Sequence, residues 1–284
     1  MCDLVINMRL LIFSDIHYLN DYESSKKKIN EIKKIDIGCQ AVVLCGDNAE
    51  LDPKLTNYHS LFKFLRKKFD CPIGFVVGNH ELWGKKIGES SEKLLSEVFA
   101  KIGREYNIVY LENENLFVNG WSISGTYGHY DYSLCRDGIK RDEIIQGKTR
   151  VNGELIGWKD KQYMMWGDKT DEEICNLLIE NFKGRMKNNG RKVITLSHTT
   201  PSREFNGHPD SLKQRFFEAY SGTTKLEDVL RRYSSSYHFC GHTHAPADGF
   251  INKTRVINIG SDYNLLRYVY LDTDSPTNQL QKKE

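Results

Sequence analysis

The sequence predicts an α/β protein in which two sheets pack together within one domain. Over the first 105 residues, apolar runs alternate with amphipathic segments in the order β-α-β-α-β-α, which is typical of a parallel sheet with crossover helices. The second half instead carries short strands with turn signals between them. With 284 residues, the chain is long enough to bury one sizeable core without disulfide support.

The first half contains three buried strands that alternate with three helices. Nearly continuous apolar runs predict strands over Arg9 to Phe13, Ala41 to Cys45 and Ile73 to Val77. Apolar residues at helical spacing predict helices over Ser24 to Ile37, Thr56 to Phe69 and Ser90 to Ile102.

The second half begins with a hairpin, because Asn119–Gly120 separates two short apolar runs, Leu116 to Val118 and Trp121 to Gly125. Thr170, with Glu173 three residues on, predicts the capped start of a helix that continues to Lys187. Weak periodicity and many aromatic residues indicate an inserted cap region, placed at 127–190. Further strands are predicted over Asn107 to Leu111, Lys192 to Leu196, Tyr237 to Cys240, Thr254 to Ile259 and Arg267 to Leu271.

Composition excludes several classes of protein. The chain has 40 basic and 38 acidic residues, and a net charge of +2 disfavours a nucleic-acid binder that works by bulk charge. No run of 18 apolar residues is present, so no membrane span is expected. Seven cysteines without a CxxC motif indicate reduced thiols in a cytoplasmic protein rather than a cysteine–zinc site.

The amino terminus does not resemble a signal peptide, because Met1 to Asn7 contains one acid and no basic residue. Met8 directly precedes the first predicted strand. We therefore hypothesise that Met8 is an alternative start to Met1, and that the residues before it are an upstream extension without function.

Polar clusters follow five of the predicted strands, at the ends where α/β sheets bind their ligands. Any one of these motifs alone is most often an ordinary loop, but five of them at strand ends are difficult to obtain by chance. Together they offer three oxygen ligands and four imidazoles, which suits two transition-metal ions better than magnesium alone. The clusters are Ser14-Asp15-Ile16-His17, Gly46-Asp47-Asn48-Ala49-Glu50, Gly78-Asn79-His80-Glu81, Ser197-His198 and Gly241-His242-Thr243-His244.

In their order along the chain, these motifs resemble the calcineurin-like metallophosphoesterase superfamily, over residues 9–261. Asn258-Ile259-Gly260-Ser261 is similar to a turn that follows the last motif in that family. The resemblance implies a four-layer αββα sandwich of two packed mixed sheets around a binuclear metal centre. It also implies hydrolysis of a phosphoester by a metal-bridging hydroxide.

The resemblance also implies a ligand set. Asp15, His17, Asp47 and His244 would hold one metal, and Asp47, Asn79, His198 and His242 would hold the other, with Asp47 as the bridge. Manganese is the favoured ion, and iron, zinc, cobalt or nickel are alternatives.

Catalytic roles follow from the same positions. His80 resembles the family's non-ligand histidine, which donates a proton to the leaving group or stabilises it. Glu50 stands where protein phosphatases have the carboxylate that orients this histidine, and Glu81 is the rival candidate. Leu51 replaces the arginine that grips phosphate in those phosphatases, so a protein phosphatase is not expected.

Substrate contacts are expected from Asn79 and His80, and from Tyr127, His129 and Tyr130 in the inserted region. Aromatic residues there would stack on a base or sugar, or would fill a second small core, which is the favoured interpretation.

The predicted function is hydrolysis of a small phosphodiester, nucleotide or phosphomonoester. A nuclease-type phosphodiesterase of the same fold, acting on nucleic acid, is a less favoured alternative. So is a metal-binding scaffold without catalysis. The oligomeric state is not predicted.

Overall fold

A computed structural model describes residues 7–186, 191–207, 211–233 and 235–274. Within these ranges, the strands form two mixed sheets and one separate hairpin. The strands are β1 (Arg9–Phe13), β2 (Ala41–Cys45), β3 (Ile73–Val76), β4 (Val109–Tyr110), β5 (Leu116–Val118), β6 (Trp121–Thr126), β7 (Lys148–Val151), β8 (Glu154–Gly157), β9 (Lys192–Ser197), β10 (Tyr237–Cys240), β11 (Ala247–Ile251), β12 (Thr254–Asn258) and β13 (Tyr268–Asp272).

Helices flank both sheets and also occur within the inserted region. They are α1 (Glu23–Lys34), α2 (Thr56–Lys68), α3 (Ser91–Lys93), α4 (Phe99–Glu105), α5 (Arg141–Gln146), α6 (Asp160–Tyr163), α7 (Asp171–Arg185), α8 (Leu212–Glu218) and α9 (Thr224–Arg232). A π-helical turn, Leu94–Val98, joins α3 to α4. No helix in the described ranges is long and apolar enough to cross a bilayer.

The first sheet has the strand order β13-β1-β2-β3-β4, and the second has the order β11-β12-β10-β9-β6-β5. In the first sheet β1 to β4 run parallel and β13 is antiparallel to β1. In the second sheet β6, β9, β10 and β12 run parallel, between the antiparallel edge strands β5 and β11. Both sheets are therefore mixed, as predicted.

Three apolar clusters show that the architecture has four layers. One cluster joins Ile12 and Val43 of the first sheet to Leu196 and Phe239 of the second, so the sheets pack face to face. A second cluster packs α1 and α2 on the outer face of the first sheet. A third packs α7 and α9 on the outer face of the second sheet, against Val193. The predicted αββα sandwich is confirmed.

The predicted elements mostly lie within one or two residues of the observed ones, and the larger differences have local causes. The first helix ends at Lys34 instead of Ile37, because Ile35 adopts an extended conformation. The predicted strand Asn107 to Leu111 contracts to Val109–Tyr110, which pairs with β3 at the edge of the first sheet. Lys187, the predicted end of α7, lies outside the described residues.

The region 127–190 contains a hairpin that the sequence analysis missed. Strands β7 and β8 pair across Asn152–Gly153, and both turn residues have positive φ. The Asn-Gly dipeptide was the available signal. The last helix of the region, α7, is an outer layer of the sandwich, and Tyr127 and Trp166 belong to the core on the outer face of the first sheet.

Candidate metal centre

The site lies in the loops that follow five strands, β1, β2, β3, β9 and β10, where both sheets present their carboxyl ends. Seven non-glycine residues in these loops have positive φ, and five of them lie in the polar motifs: Asp15, His17, Asp47, His242 and His244. Each such conformation costs about 1–3 kcal/mol, and such strain persists where the surroundings enforce it. These five residues are all sequence-predicted metal ligands, so the strain coincides with the predicted site.

A buried carboxylate holds the β2 and β3 loops together. Glu81 accepts hydrogen bonds from the backbone N–H groups of Asp47 at 3.0 Å, Ala49 at 3.2 Å and Gly78 at 2.6 Å. Tyr58 also donates its hydroxyl to Glu81. The rival candidate for orienting His80 is thus occupied with the backbone of the site.

The first ligand group surrounds one side of Asp47. His17 Nε2 lies 3.4 Å from His244 Nε2 and 3.5 Å from Asp47 Oδ2. His244 Nε2 also lies 3.6 Å from Asp15 Oδ1. Four donor atoms from β1, β2 and β10 loops therefore converge.

The second ligand group surrounds the other oxygen of Asp47. His198 Nε2 lies 3.6 Å from Asp47 Oδ1, 3.1 Å from Asn79 Oδ1 and 3.1 Å from His242 Nδ1. Asp47 thus presents one carboxylate oxygen to each group. The structure brings all seven predicted ligands together.

In three of the four histidines, the ring nitrogen that points away from the other ligands donates to an acceptor outside the cluster. His17 Nδ1 donates to Glu50, His198 Nδ1 to the carbonyl of Cys45 at 2.9 Å, and His242 Nε2 to the carbonyl of Tyr220 at 3.1 Å. The nitrogens that face the cluster are therefore unprotonated in the neutral rings, as metal ligation requires.

Burial favours the uncharged form of both the histidines and the aspartates of the cluster. It lowers the pKa of His17 and of His242 to about 3. Burial also raises the pKa values of the Asp15 and Asp47 carboxyl groups. Neutral imidazoles with inward lone pairs, together with buried carboxylates, fit divalent cations. The donor set is the mixed nitrogen and oxygen set that transition metals prefer.

His80 lies beside the cluster without being enclosed by it. Its Nδ1 donates to Glu50 Oε1 at 2.8 Å, and its Nε2 lies 4.0 Å from Asp47 Oδ2. Glu50 therefore contacts His80, whereas Glu81 is committed to backbone groups. Burial raises the pKa of Glu50, but the hydrogen bonds from His17 and His80 outweigh it, so the pKa lies well below its ordinary value.

Tyr263 is a site residue that sequence reasoning missed. Its hydroxyl lies 3.2 Å from His80 Nε2, and its ring stacks on that of His17 at 4.2 Å between centroids. Its position two residues after Ser261, in the turn that ends the family-like motifs, was the available signal.

A cavity of about 260 Å³ opens over the two ligand groups. Aromatic side chains and Lys159 line it beside the polar residues. A second cavity of about 430 Å³ shares Trp158, Phe217 and His242 with the first, so the two are adjacent. The first cavity is lined by Asp47, Asn79, His80, Trp83, Gly157, Trp158, Lys159, Asp160, Phe217, His242, His244 and Tyr263.

The other predicted substrate contacts lie elsewhere. Tyr127 and His129 are 0% exposed and Tyr130 is 1% exposed, and none of them lines the cavity over the ligands. His129 Nε2 instead donates to Asp171 at 2.9 Å, and Tyr130 packs against Tyr220. The three side chains are buried and contact other residues of the protein, so we do not propose them as substrate contacts. Tyr130 and Tyr132 belong to a small aromatic core in this region, whereas Trp158 lines the cavity over the ligand groups.

Comparison with known proteins identifies the family. A model of the calcineurin-like phosphoesterases matches residues 8–246, and the chain therefore belongs to that family. Its members are binuclear, metal-dependent hydrolases of phosphoesters. No curated protein sequence matches the chain.

A solved structure with a TM-score of 0.73 shares the fold. A crystal structure of phosphopantetheinyl hydrolase from Mycobacterium tuberculosis has a TM-score of 0.73 and 20% sequence identity, and the match covers 91% of each chain. A putative 5'-nucleotidase from Staphylococcus aureus has a TM-score of 0.48 and 15% identity, covering 93% of this chain and 51% of its own. At these identities the likeness concerns the fold alone.

Proposed function

We propose that this chain hydrolyses a small phosphoester with two divalent metal ions. Asp15, His17 and His244 would hold one ion, Asn79, His198 and His242 would hold the other, and Asp47 would contribute to both. The observation that carries this proposal is the position of Asp47, whose two oxygens lie 3.5 Å and 3.6 Å from a histidine nitrogen of each group.

When bound, two such ions polarise the phosphoryl group and lower the pKa of water. His80, which lines the cavity, donates a proton to the leaving oxygen from Nε2, and Glu50 orients the ring by accepting a hydrogen bond from Nδ1. The His80–Glu50 pair favours an enzyme over a metal-binding scaffold, because a scaffold requires no proton donor. The complete set of candidate ligands also favours an enzyme.

The cavity supports a substrate with a small organic group. Lys159 adds a positive charge at its wall, which favours an anionic ligand. Trp83, Trp158 and Phe217 offer apolar surface for the group attached to phosphate. We therefore propose a small phosphodiester or nucleotide as substrate, with a phosphomonoester as the alternative outcome of the experiment. The near-balanced net charge disfavours a nucleic acid.

The experiment compares bis(p-nitrophenyl) phosphate with p-nitrophenyl phosphate, after chelation and reconstitution with Mn²⁺. Metal-dependent cleavage of the diester supports the proposal, and preference for the monoester indicates a phosphatase. The proposal is contradicted if the protein binds two ions but cleaves neither of these esters nor any nucleotide diester.

The bridging role of Asp47 is tested by Asp47→Asn, which should lose both ions and activity together. Retention of both ions would exclude that role.

The proton donor is tested separately. His80→Ala should lower kcat by about 10²–10⁴-fold on an alkyl ester, and by less on an aryl ester, whose leaving group needs little protonation. Full turnover on both esters would contradict the assigned role.

A further inference from the structure

Asp160 connects the inserted region to the metal centre. It is the first residue of α6 and is 1% exposed. Its Oδ1 accepts two hydrogen bonds, from Asn79 Nδ2 at 2.9 Å and from Trp83 Nε1 at 2.6 Å. Asp160 stands 81 residues after Asn79 in the chain, so only the fold brings them together.

The bond to Asn79 determines which end of the amide faces the site. With Nδ2 committed to Asp160, Oδ1 points at His198 Nε2, 3.1 Å away. Oδ1 is the amide atom that can ligate a cation. Without the acceptor, the amide can rotate and present its NH₂ group to the ion instead.

The bond to Trp83 acts on the neighbouring histidine. The indole ring lies against the His80 ring, with centroids 3.8 Å apart and an interplanar angle of 30°. Because Asp160 fixes the indole N–H, the ring provides a rigid wall that keeps His80 Nδ1 directed at Glu50. One carboxylate oxygen thus supports both adjacent site residues, Asn79 and His80.

We propose that Asp160 is a positioning residue through which the inserted region orients the Asn79 ligand and the His80 ring. The inference rests on the proposed function for the role of His80. Its metal-binding part depends only on Asn79 as a ligand and needs no substrate. The other oxygen of Asp160, Oδ2, is buried without a hydrogen-bond partner among the described residues. The two bonds to Oδ1 are therefore the hydrogen bonds observed for this carboxylate.

The experiment compares Asp160→Ala, Asp160→Asn and Asp171→Ala with the unmodified chain. Asp171 is a matched control, because it is also a buried carboxylate of the inserted region, but it bonds His129, Tyr132 and Lys161 instead of site residues. Mn²⁺ affinity is measured by titrating the apoprotein and following free Mn²⁺ by electron paramagnetic resonance. Far-ultraviolet circular dichroism reports whether each apoprotein is folded.

Asp160→Ala should weaken one of the two Mn²⁺ sites by about 10–100-fold and lower kcat by a similar factor. Asp160→Asn keeps an acceptor oxygen and should stay within about threefold of the unmodified chain, since it can make both bonds. Asp171→Ala should leave Mn²⁺ affinity unchanged. Trp83→Phe removes the indole N–H together with part of the ring that packs on His80, and should keep Mn²⁺ affinity and lower kcat several-fold on an alkyl ester.

Three results would overturn the inference: unchanged Mn²⁺ affinity in Asp160→Ala, equal losses in Asp160→Ala and Asp160→Asn, or an equal loss in Asp171→Ala. If Asp160→Ala does not fold, Asp160→Glu makes the same comparison, since it moves the acceptor by one methylene. If the unmodified chain binds two ions and cleaves no phosphoester, the proposed function fails, while the Mn²⁺ titrations still decide the metal-binding role of Asp160.

Discussion

Glu50 contacts both a proposed metal ligand, His17, and the proposed proton donor, His80. One of its oxygens, Oε1, accepts from His17 at 3.0 Å and from His80 at 2.8 Å. Lys86 Nζ lies 3.5 Å from the other oxygen. The same carboxylate therefore orients a proposed metal ligand and the proposed proton donor, so its loss should affect both metal binding and turnover.

Glu50→Ala should lower kcat by about 10–100-fold and weaken Mn²⁺ binding, because both rings lose the acceptor that fixes their tautomer. Glu50→Gln should recover part of both, since its amide oxygen can still accept. Steady-state kinetics and Mn²⁺ titration measure the two effects. An unchanged kcat in Glu50→Ala would show that His80 needs no orienting carboxylate.

At the scale of elements, the strand-end loops approach each other so closely that no side chain fits at Gly46, Gly78 or Gly241, and Gly241 gives the clearest test. A Cβ at Gly241 would lie 1.8 Å from Ser14 Oγ and 2.2 Å from Asp15 Oδ2. The loop after β10 therefore approaches the loop after β1 through this glycine, and His242 N–H donates to Asp15 at 3.0 Å beside it.

Gly241→Ala should lower the free energy of unfolding by about 1–3 kcal/mol and weaken metal binding, because Asp15 must move. Gly184→Ala is the matched control. A Cβ at Gly184 in α7 meets nothing within 4 Å, so stability should be unchanged or raised by up to about 1 kcal/mol. Urea unfolding of both variants gives the comparison, and equal stabilities would contradict the contact.

Strands β9 and β10 are also linked by a buried histidine outside the metal centre. His238 is 0% exposed, and its two nitrogens lie 3.0 Å from the hydroxyls of Thr195 and Ser197. Burial lowers the pKa of His238 to about 3. In the unfolded chain, its pKa is about 6.5.

The unfolded state therefore binds a proton at His238 below about pH 6.5, whereas the folded state does so only near pH 3. Stability from this group is present above the unfolded pKa and is lost as the pH falls, by about 2 kcal/mol between pH 7 and pH 5. His238→Gln removes the titrating group, so the decline in stability of its apoprotein over this interval should be smaller. Urea unfolding of both apoproteins at several pH values tests this, and identical slopes would exclude His238.

At the scale of the whole molecule, the candidate metal centre draws its proposed ligands from both sheets. Asp15, Asp47 and Asn79 follow strands of the first sheet, whereas His198 and His242 follow strands of the second. Ions held by this ligand set would bind the folded state and not the separated sheets, so they should stabilise the fold.

Chelation should therefore lower the melting temperature. An ion at 100 times its Kd stabilises the folded state by about 2.7 kcal/mol per site, so removing both should cost at least about 5 °C. Scanning calorimetry before and after chelation, with metal content measured on the same samples, tests this. An unchanged melting temperature in metal-free protein would mean that the ions do not join the sheets.

Local sequence was sufficient to predict the central strands of the first sheet and the motifs that carry the candidate ligands. The runs Arg9–Phe13 and Ala41–Cys45 are strands with the predicted bounds, because their apolar residues are buried on both faces of a central strand. The ligand motifs were visible because each one follows its strand directly, at the sheet edge where ligands bind. Thr170 and Glu173 form the predicted capping box for the same reason, since a cap depends on residues three apart.

Contacts between distant segments were decided by tertiary structure alone. The sequence left Glu50 and Glu81 as rivals, and the packing of the β2 loop on the β3 loop separated their roles. The local pattern around Asp160 does not indicate the site, and the only local signal for Tyr263 was its place just after the turn that ends at Ser261. Their positions depend on how the inserted region and the last turn pack on the sheets, and no short-range periodicity encodes that packing.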